Sequence, residues 1–258
     1  MLRTALEMIS RTGLTVSLDH IRFEDVIRDA DVARSTAYRH WPYRDLFFSD
    51  LIRELARSAS PAIIADEVAL IRKIIGEHED WLRTPQGRHN LILELIRQLA
   101  LLDFRSILGS PGWRTYLALH ATFSGLTDGE LRDQVRAALA ETEAGQTALI
   151  ARAWQQIAGM FGYRLRPELG SGFDTLATLL SATMHGLVIT ALSTPEVGTR
   201  VILASPPGAA AEEPWSLPAL AMATMAMAFL EPDPSADWDD RRLAAIHDAL
   251  DAWDGPRP

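Results

Sequence analysis

At 258 residues and 48% hydrophobic composition, the chain is long enough to bury a core as one large or two small domains, and it does not read as disordered. The absence of cysteine excludes disulfide scaffolds, thiolate zinc sites and cysteine nucleophiles. A formal charge of −9 argues against a nucleic-acid partner only if it is evenly spread, because phosphate binding depends on local positive charge. Residues 1–57 hold nine arginines against nine carboxylates, so the whole excess falls on the rest of the chain.

The opening MLRTALEMISRTG is amphipathic and charged, with neither the apolar core nor the small-residue cleavage site of a signal peptide. The longest apolar run, residues 217–230, is interrupted by Pro218 and Thr224. It falls short of the roughly 20 residues a membrane-spanning helix needs. A cytoplasmic protein with no membrane partner is the expectation.

Apolar residues recur at spacings of three and four almost everywhere, and no stretch alternates with period two, which predicts an all-α fold. A first helix is expected over residues 2–11, with the stripe Leu2, Ala5, Leu6, Ile9 and a left-handed cap at Gly13. Two short helices follow, at residues 23–30 and 34–40, separated by three residues. Pro42 then marks a break before a helix that starts at Tyr43 or Arg44. Short helix, tight turn, short helix is the pattern of a helix-turn-helix.

Further along, breaks are expected at Ser60-Pro61, Thr84-Pro85, residues 109–112, Ser124-Gly125 and residues 166–172, so that 61–166 reads as four or five antiparallel helices. Residues 173–193 form a helix with Phe173, Leu176, Ala177, Leu180, Met184, Leu187, Val188 and Ala191 on one face. Residues 217–230 form another, apolar nearly all round, and 205–214 between them is a loop. A last amphipathic helix is expected at 238–253, with Leu243, Ile246, Leu250 and Trp253 on one side. The predicted organisation is a three-helix helix-turn-helix domain at 1–57 and a larger helical domain at 58–258.

Within the short-helix segment, Val26, Ile27, Ala30, Val32, Ala37 and Trp41 are the expected core. This leaves Arg34, Ser35, Thr36, Tyr38, Arg39 and His40 on the outer side of the second helix. From Val32 to Arg44 there are three arginines and no acidic residue, the local basic face that a reader of DNA requires. A helix in the major groove contacts base edges mainly from its N-terminal end, so Arg34, Ser35 and Thr36 are the expected base readers. Tyr38, Arg39 and His40 suit phosphates, as do Tyr43 and Arg44 at the start of the next helix.

Ala30, Val32, Thr36, Tyr38, Arg39, Pro42 and Leu46 fall where the tetracycline-repressor (TetR) family of transcriptional regulators has such residues, and roughly the first 55 residues resemble that family's DNA-binding domain. Arg44 stands where the family has lysine and Trp41 where it has phenylalanine, both with the chemistry kept. The segment departs from the pattern at three points. Asp31 replaces the turn glycine, Ala33 replaces a serine cap, and the connection from Gly13 to Arg22 is longer. Aspartate tolerates left-handed backbone better than most residues. The missing cap costs about 1 kcal/mol unless Asp31 or Ser35 substitutes for it.

The resemblance implies a DNA-binding domain at 1–57 and an effector-binding and dimerisation domain at 58–258, in a homodimer that reads a palindromic operator, represses by the family's habit, and joins its protomers through a four-helix bundle. Residues 173–193 and 217–230 are the candidates for that bundle. An unknown, largely apolar small-molecule effector is expected among the middle helices, with Trp113, Tyr116, Trp154, Met160, Phe161 and Tyr163 as its aromatic and sulfur surface. His185 beside Gly186 reads as a core histidine. Metalloprotease, serine-hydrolase, phosphate-loop and di-iron spacings are all missing from the sequence, and Gly170-Ser171-Gly172 follows no strand. No catalytic residue, cofactor or metal is therefore assigned. Asp237, Asp239, Asp240, Asp248, Asp251 and Asp254 read as a solvated helix face. The alternative function is a helical protein-interaction adaptor that retains the fold without reading DNA.

Overall fold

A computed structural model describes residues 1–12, 21–58 and 65–252. They are mostly helical, with four short strands in two two-stranded sheets. Gly13, most of the connection after it, the Ser60-Pro61 break and Trp253 lie outside the described residues. The chain divides into two compact units. The first comprises α1 (Leu2–Thr12), α2 (Phe23–Asp29), α3 (Arg34–His40) and α4 (Arg44–Ser58), together with residues 109–146. The second takes residues 65–108 and those from Thr147 onward.

In the first unit the N-terminal helices share one core with α7 (Pro111–Ser124) and the first half of α8 (Glu130–Met160). Ala5 and Ile9 of α1 and Phe47, Leu51 and Leu55 of α4 are buried in the same cluster as Leu119, Val135, Ala138 and Leu139. A segment of 57 residues has little interior of its own, and the stripes of α1 and α4 gain cover from residues 109–146.

The turn between α2 and α3 is built locally. The Val32 amide donates to the Ile27 carbonyl at 3.2 Å and the Asp31 amide to that of Arg28 at 3.1 Å. This pair of bonds closes a helix C-terminus when the residue after the cap is left-handed. That residue is Asp31, at φ +49°, so the left-handed position expected from the sequence is occupied by a non-glycine residue. α3 then starts from Ala33, whose side chain caps nothing. α7, by contrast, starts from Ser110, whose hydroxyl accepts from the Trp113 amide.

The second unit holds α5 (Ala65–Glu77), α6 (Pro85–Gly109), the remainder of α8, α9 (Phe173–Ser193), α10 (Glu196–Thr199), α11 (Leu217–Phe229) and α12 (Asp240–Ala252). β1 (Tyr163–Leu165) pairs antiparallel with β4 (Leu230–Pro232), and β2 (Val201–Ala204) with β3 (Glu213–Ser216). Strands of three or four residues are too short to show period-two alternation, which is why the sequence reads as helix and loop alone. The β2–β3 connection lies within the expected 205–214 loop.

α9 packs on α11, burying Leu176, Ala177, Leu180, Met184, Val188 and Ala191. By length and composition α9 could also cross a membrane, although 217–230 could not. Of the apolar stretch in α9, 33% is buried. On α12 Ile246 is buried and Leu243 half-buried. Glu94, buried on α6, accepts from Arg97 at 2.7 Å and from Gln98, so its charge is paired inside its own helix.

The turn yields a stability prediction. Asp31→Gly, which needs no side chain to fit left-handed backbone, is expected to match or exceed wild-type stability. Asp31→Val is expected to lose about 1–2 kcal/mol. Urea denaturation of the three proteins measures the difference, and a valine variant as stable as wild type contradicts the left-handed assignment.

Candidate nucleic-acid interface

α3 is seven residues long and buries one of them, Ala37. Trp41, just past its end, is also buried and makes edge contacts with Phe23 at 6.4 Å and Phe47 at 5.2 Å between ring centroids. Its indole Nε1 donates to Asp50 Oδ2 at 2.8 Å, and Asp50 in turn pairs with Arg53. One bulky ring thus ties the end of α3 to both α2 and α4. Phe23, Val26 and Ile27 are buried beneath, while Ala30 and Val32 are half-buried. Phe23 and Phe47 belong to this small core although the sequence reading did not single them out.

With Ala37 and Trp41 turned inward, the helical period turns the other positions out. Arg34, Ser35, Thr36, Tyr38, Arg39 and His40 are all exposed, as are Tyr43 and Arg44 at the start of α4. All eight expected DNA-contacting residues are therefore exposed. The Arg44 guanidinium lies 5.4 Å from the Phe48 ring centroid, and His40 meets the Trp41 ring edge-on at 4.3 Å.

The stretch without acidic residues in sequence has an acidic neighbour in space. Glu24, on α2, accepts from Arg34 Nη2 at 3.0 Å and from the Tyr38 hydroxyl at 2.6 Å. The Arg34 guanidinium also lies 5.5 Å from the Tyr38 ring centroid, and Phe23 supports that ring edge-on at 5.5 Å. The Tyr38 hydrogen bond, followed by the Glu24 charge, raises the Arg34 pKa above its ordinary value. Glu24 escapes a reading by motif because it lies 14 residues before Tyr38 on a different helix.

The expected effector residues fall into two groups. Trp113 and Tyr116 are on α7 in the first unit, while Trp154, Met160 and Phe161 belong to the second. Trp113 and Phe161 are among the largest fully buried side chains, as core residues would be. Tyr116 donates from its hydroxyl to Glu143 and stacks at a tilt on His120, 4.3 Å between centroids. Burial, followed by Glu143, raises the Tyr116 phenol well above its ordinary value.

Tyr163, the sixth of these residues, bonds instead to His89. A carbonyl can only accept, so His89 Nε2–H donates to Pro207 O at 3.1 Å, and Nδ1 accepts from the Tyr163 hydroxyl at 2.7 Å. Burial lowers the His89 pKa and pushes the Tyr163 phenol up to about 12. Gly208 allows this arrangement. It sits at φ +83°, and a Cβ there would come within 2.4 Å of His89 Nε2.

Among the described residues no group of three or more histidines and carboxylates is placed to hold a metal. Asp239 receives the Arg242 amide at the start of α12. In the second unit the Asp103 carboxyl, partly buried on α6, is pushed up to about 9, first by burial and then by the charge of Glu67 on α5. The folded chain thus keeps a proton that the unfolded chain releases above about pH 4. This contribution to stability is complete below the unfolded value and is lost as pH rises through the folded one. The thermal midpoint is expected to fall across that range, and Asp103→Asn to flatten the fall. A profile unchanged by the substitution contradicts the assignment.

Compared with family models, with curated proteins and with solved structures, the chain matches none of them.

Proposed function

We propose that this chain is a sequence-specific DNA-binding transcriptional regulator of TetR type, with α2 and α3 as a helix-turn-helix and α3 as its recognition helix. The observation that carries this reading is the outer face of α3. Six polar or aromatic residues, Arg34, Ser35, Thr36, Tyr38, Arg39 and His40, are exposed above a helix that is pinned by Ala37 and Trp41. Base reading requires both parts, a rigid support and donors of several lengths directed into a groove. Arg34 to Thr36 take the base edges, and Arg39, His40, Tyr43 and Arg44 take the phosphates; Tyr38, expected among the phosphate ligands, has its hydroxyl proton committed to Glu24 instead.

The regulator acts in the cytoplasm as a homodimer joined through α9 and α11. Leu179, Ala182, Gly186, Ile189 and Leu192 form an exposed stripe along α9, with Ile189 48% and Leu192 55% exposed. Small and apolar residues at this spacing suit close helix pairing across a two-fold axis. Two recognition helices would then lie about one DNA turn apart, roughly 34 Å, and read a palindrome. A small apolar effector would relieve repression by favouring the dimer whose helices no longer fit that spacing.

The experiment is selection of bound duplexes from a random library with the purified protein, followed by salt titration on the best site. An enriched palindrome with a steep loss of affinity in salt supports the reading. A folded dimer that enriches no sequence at low salt supports a protein-interaction adaptor instead.

Two substitutions separate the roles within the face. Arg44→Ala is expected to weaken binding about equally on all duplexes and to reduce the salt slope by about one; a loss confined to one base pair contradicts a phosphate role. Thr36→Ala is expected to change the selected consensus, and an unchanged consensus contradicts base reading by Thr36.

A further inference from the structure

The position of Glu24 has a direct consequence for how α3 would discriminate between DNA sequences. Its carboxylate holds Arg34 Nη2 and the Tyr38 hydroxyl at the same time. Both partners are exposed, and the arginine side chain is 71% accessible, so the cluster lies on the surface that would face DNA. With its hydroxyl proton committed to Glu24, Tyr38 has only lone pairs to offer a phosphate, whose oxygens also only accept. The Arg34 charge is likewise offset by an anion 3.0 Å away. The Tyr38 side chain also hydrogen-bonds the guanidinium, and among the described residues Glu24 is the one carboxylate paired with it.

A guanidinium held on one side by a carboxylate is a poor ligand for a bare phosphate, because the carboxylate repels that phosphate. It remains a good ligand for the neutral acceptor edge of a base, which takes its remaining donors in a fixed orientation. Resting on the DNA-binding reading above, we propose that Glu24 is a specificity-determining positioning residue. It holds Arg34 and Tyr38 back from indiscriminate phosphate contact and orients Arg34 toward a base edge.

The test measures binding of the full-length protein to its best selected duplex and to a scrambled duplex over a range of salt concentrations. Wild type, E24Q, E24D, R34A and the double variant E24Q/R34A are compared, with thermal denaturation to show that each is folded. Glutamine keeps an acceptor for Tyr38 but removes the charge. E24Q is therefore expected to bind the scrambled duplex more tightly and to steepen the salt slope by about one. Its ratio of selected to scrambled affinity should fall about tenfold, within the range one bidentate base contact supplies. E24D, which restores the charge, is expected to return the slope to its wild-type value. In the R34A background E24Q should leave the ratio unchanged.

A ratio and slope in E24Q equal to those of a wild type that binds selectively overturn the role of Glu24 and leave DNA reading intact. An E24Q effect that persists in full without Arg34 also overturns it. A wild type with no salt-dependent DNA binding overturns the DNA reading and this inference with it.

Discussion

The first unit depends on how Trp41 is held. Its ring fills the angle between α2, α3 and α4, and its indole nitrogen finds a carboxylate in Asp50 at 2.8 Å. A large aromatic that is buried with its one polar atom satisfied contributes both apolar area and direction. Direction matters more here, because α3 has only seven residues and one buried side chain of its own. A helix that short is marginal alone. It keeps its orientation because Trp41 and Phe47 behind it are packed against Phe23, and every exposed residue of α3 inherits its placement from that contact.

Charge balance has to be read in three dimensions. Along the chain, the segment from Val32 to Arg44 carries only positive charge, whereas in space Glu24 reaches it from the preceding helix and engages two of its residues. The resulting surface is less basic than its sequence, with Arg39 and Arg44 paired with no carboxylate among the described residues while Arg34 is partly neutralised. On the proposed reading, such a surface would divide its work between general attraction to DNA and oriented contact with it. The division depends on which arginine has a carboxylate partner, and a count of arginines does not show it.

The second unit uses polar groups sparingly inside an apolar scaffold. His89, Tyr163 and the Pro207 carbonyl form a chain of hydrogen bonds that joins the start of α6, the first strand and the loop after β2. Gly208 is the residue that lets that loop close on the imidazole. α9 contributes one face to the core and leaves another exposed. The exposed face carries Leu179, Ile189 and Leu192.

The sequence by itself determined whatever is decided within a few residues. The helices at 34–40 and 173–193 and the breaks before Pro85 and Pro111 follow from local periodicity and from what proline permits. The exposure of Arg34, Ser35, Thr36, Tyr38, Arg39 and His40 follows from the burial of Ala37 and Trp41. Only the tertiary structure decided which distant groups meet. Glu24 found Arg34 and Tyr38 across a turn, and residues 109–146 joined the N-terminal helices because α1 and α4 had more apolar surface than their own segment could cover. The expected effector aromatics divided between two units, since aromatic residues at helical spacing mark a buried face without saying which core it enters. Strands of three and four residues appeared where pairing across the chain outweighed any local pattern. Backbone and capping preferences act between near neighbours, whereas ion pairs and cores depend on how helices cross, and that crossing is settled by the packing of the whole unit.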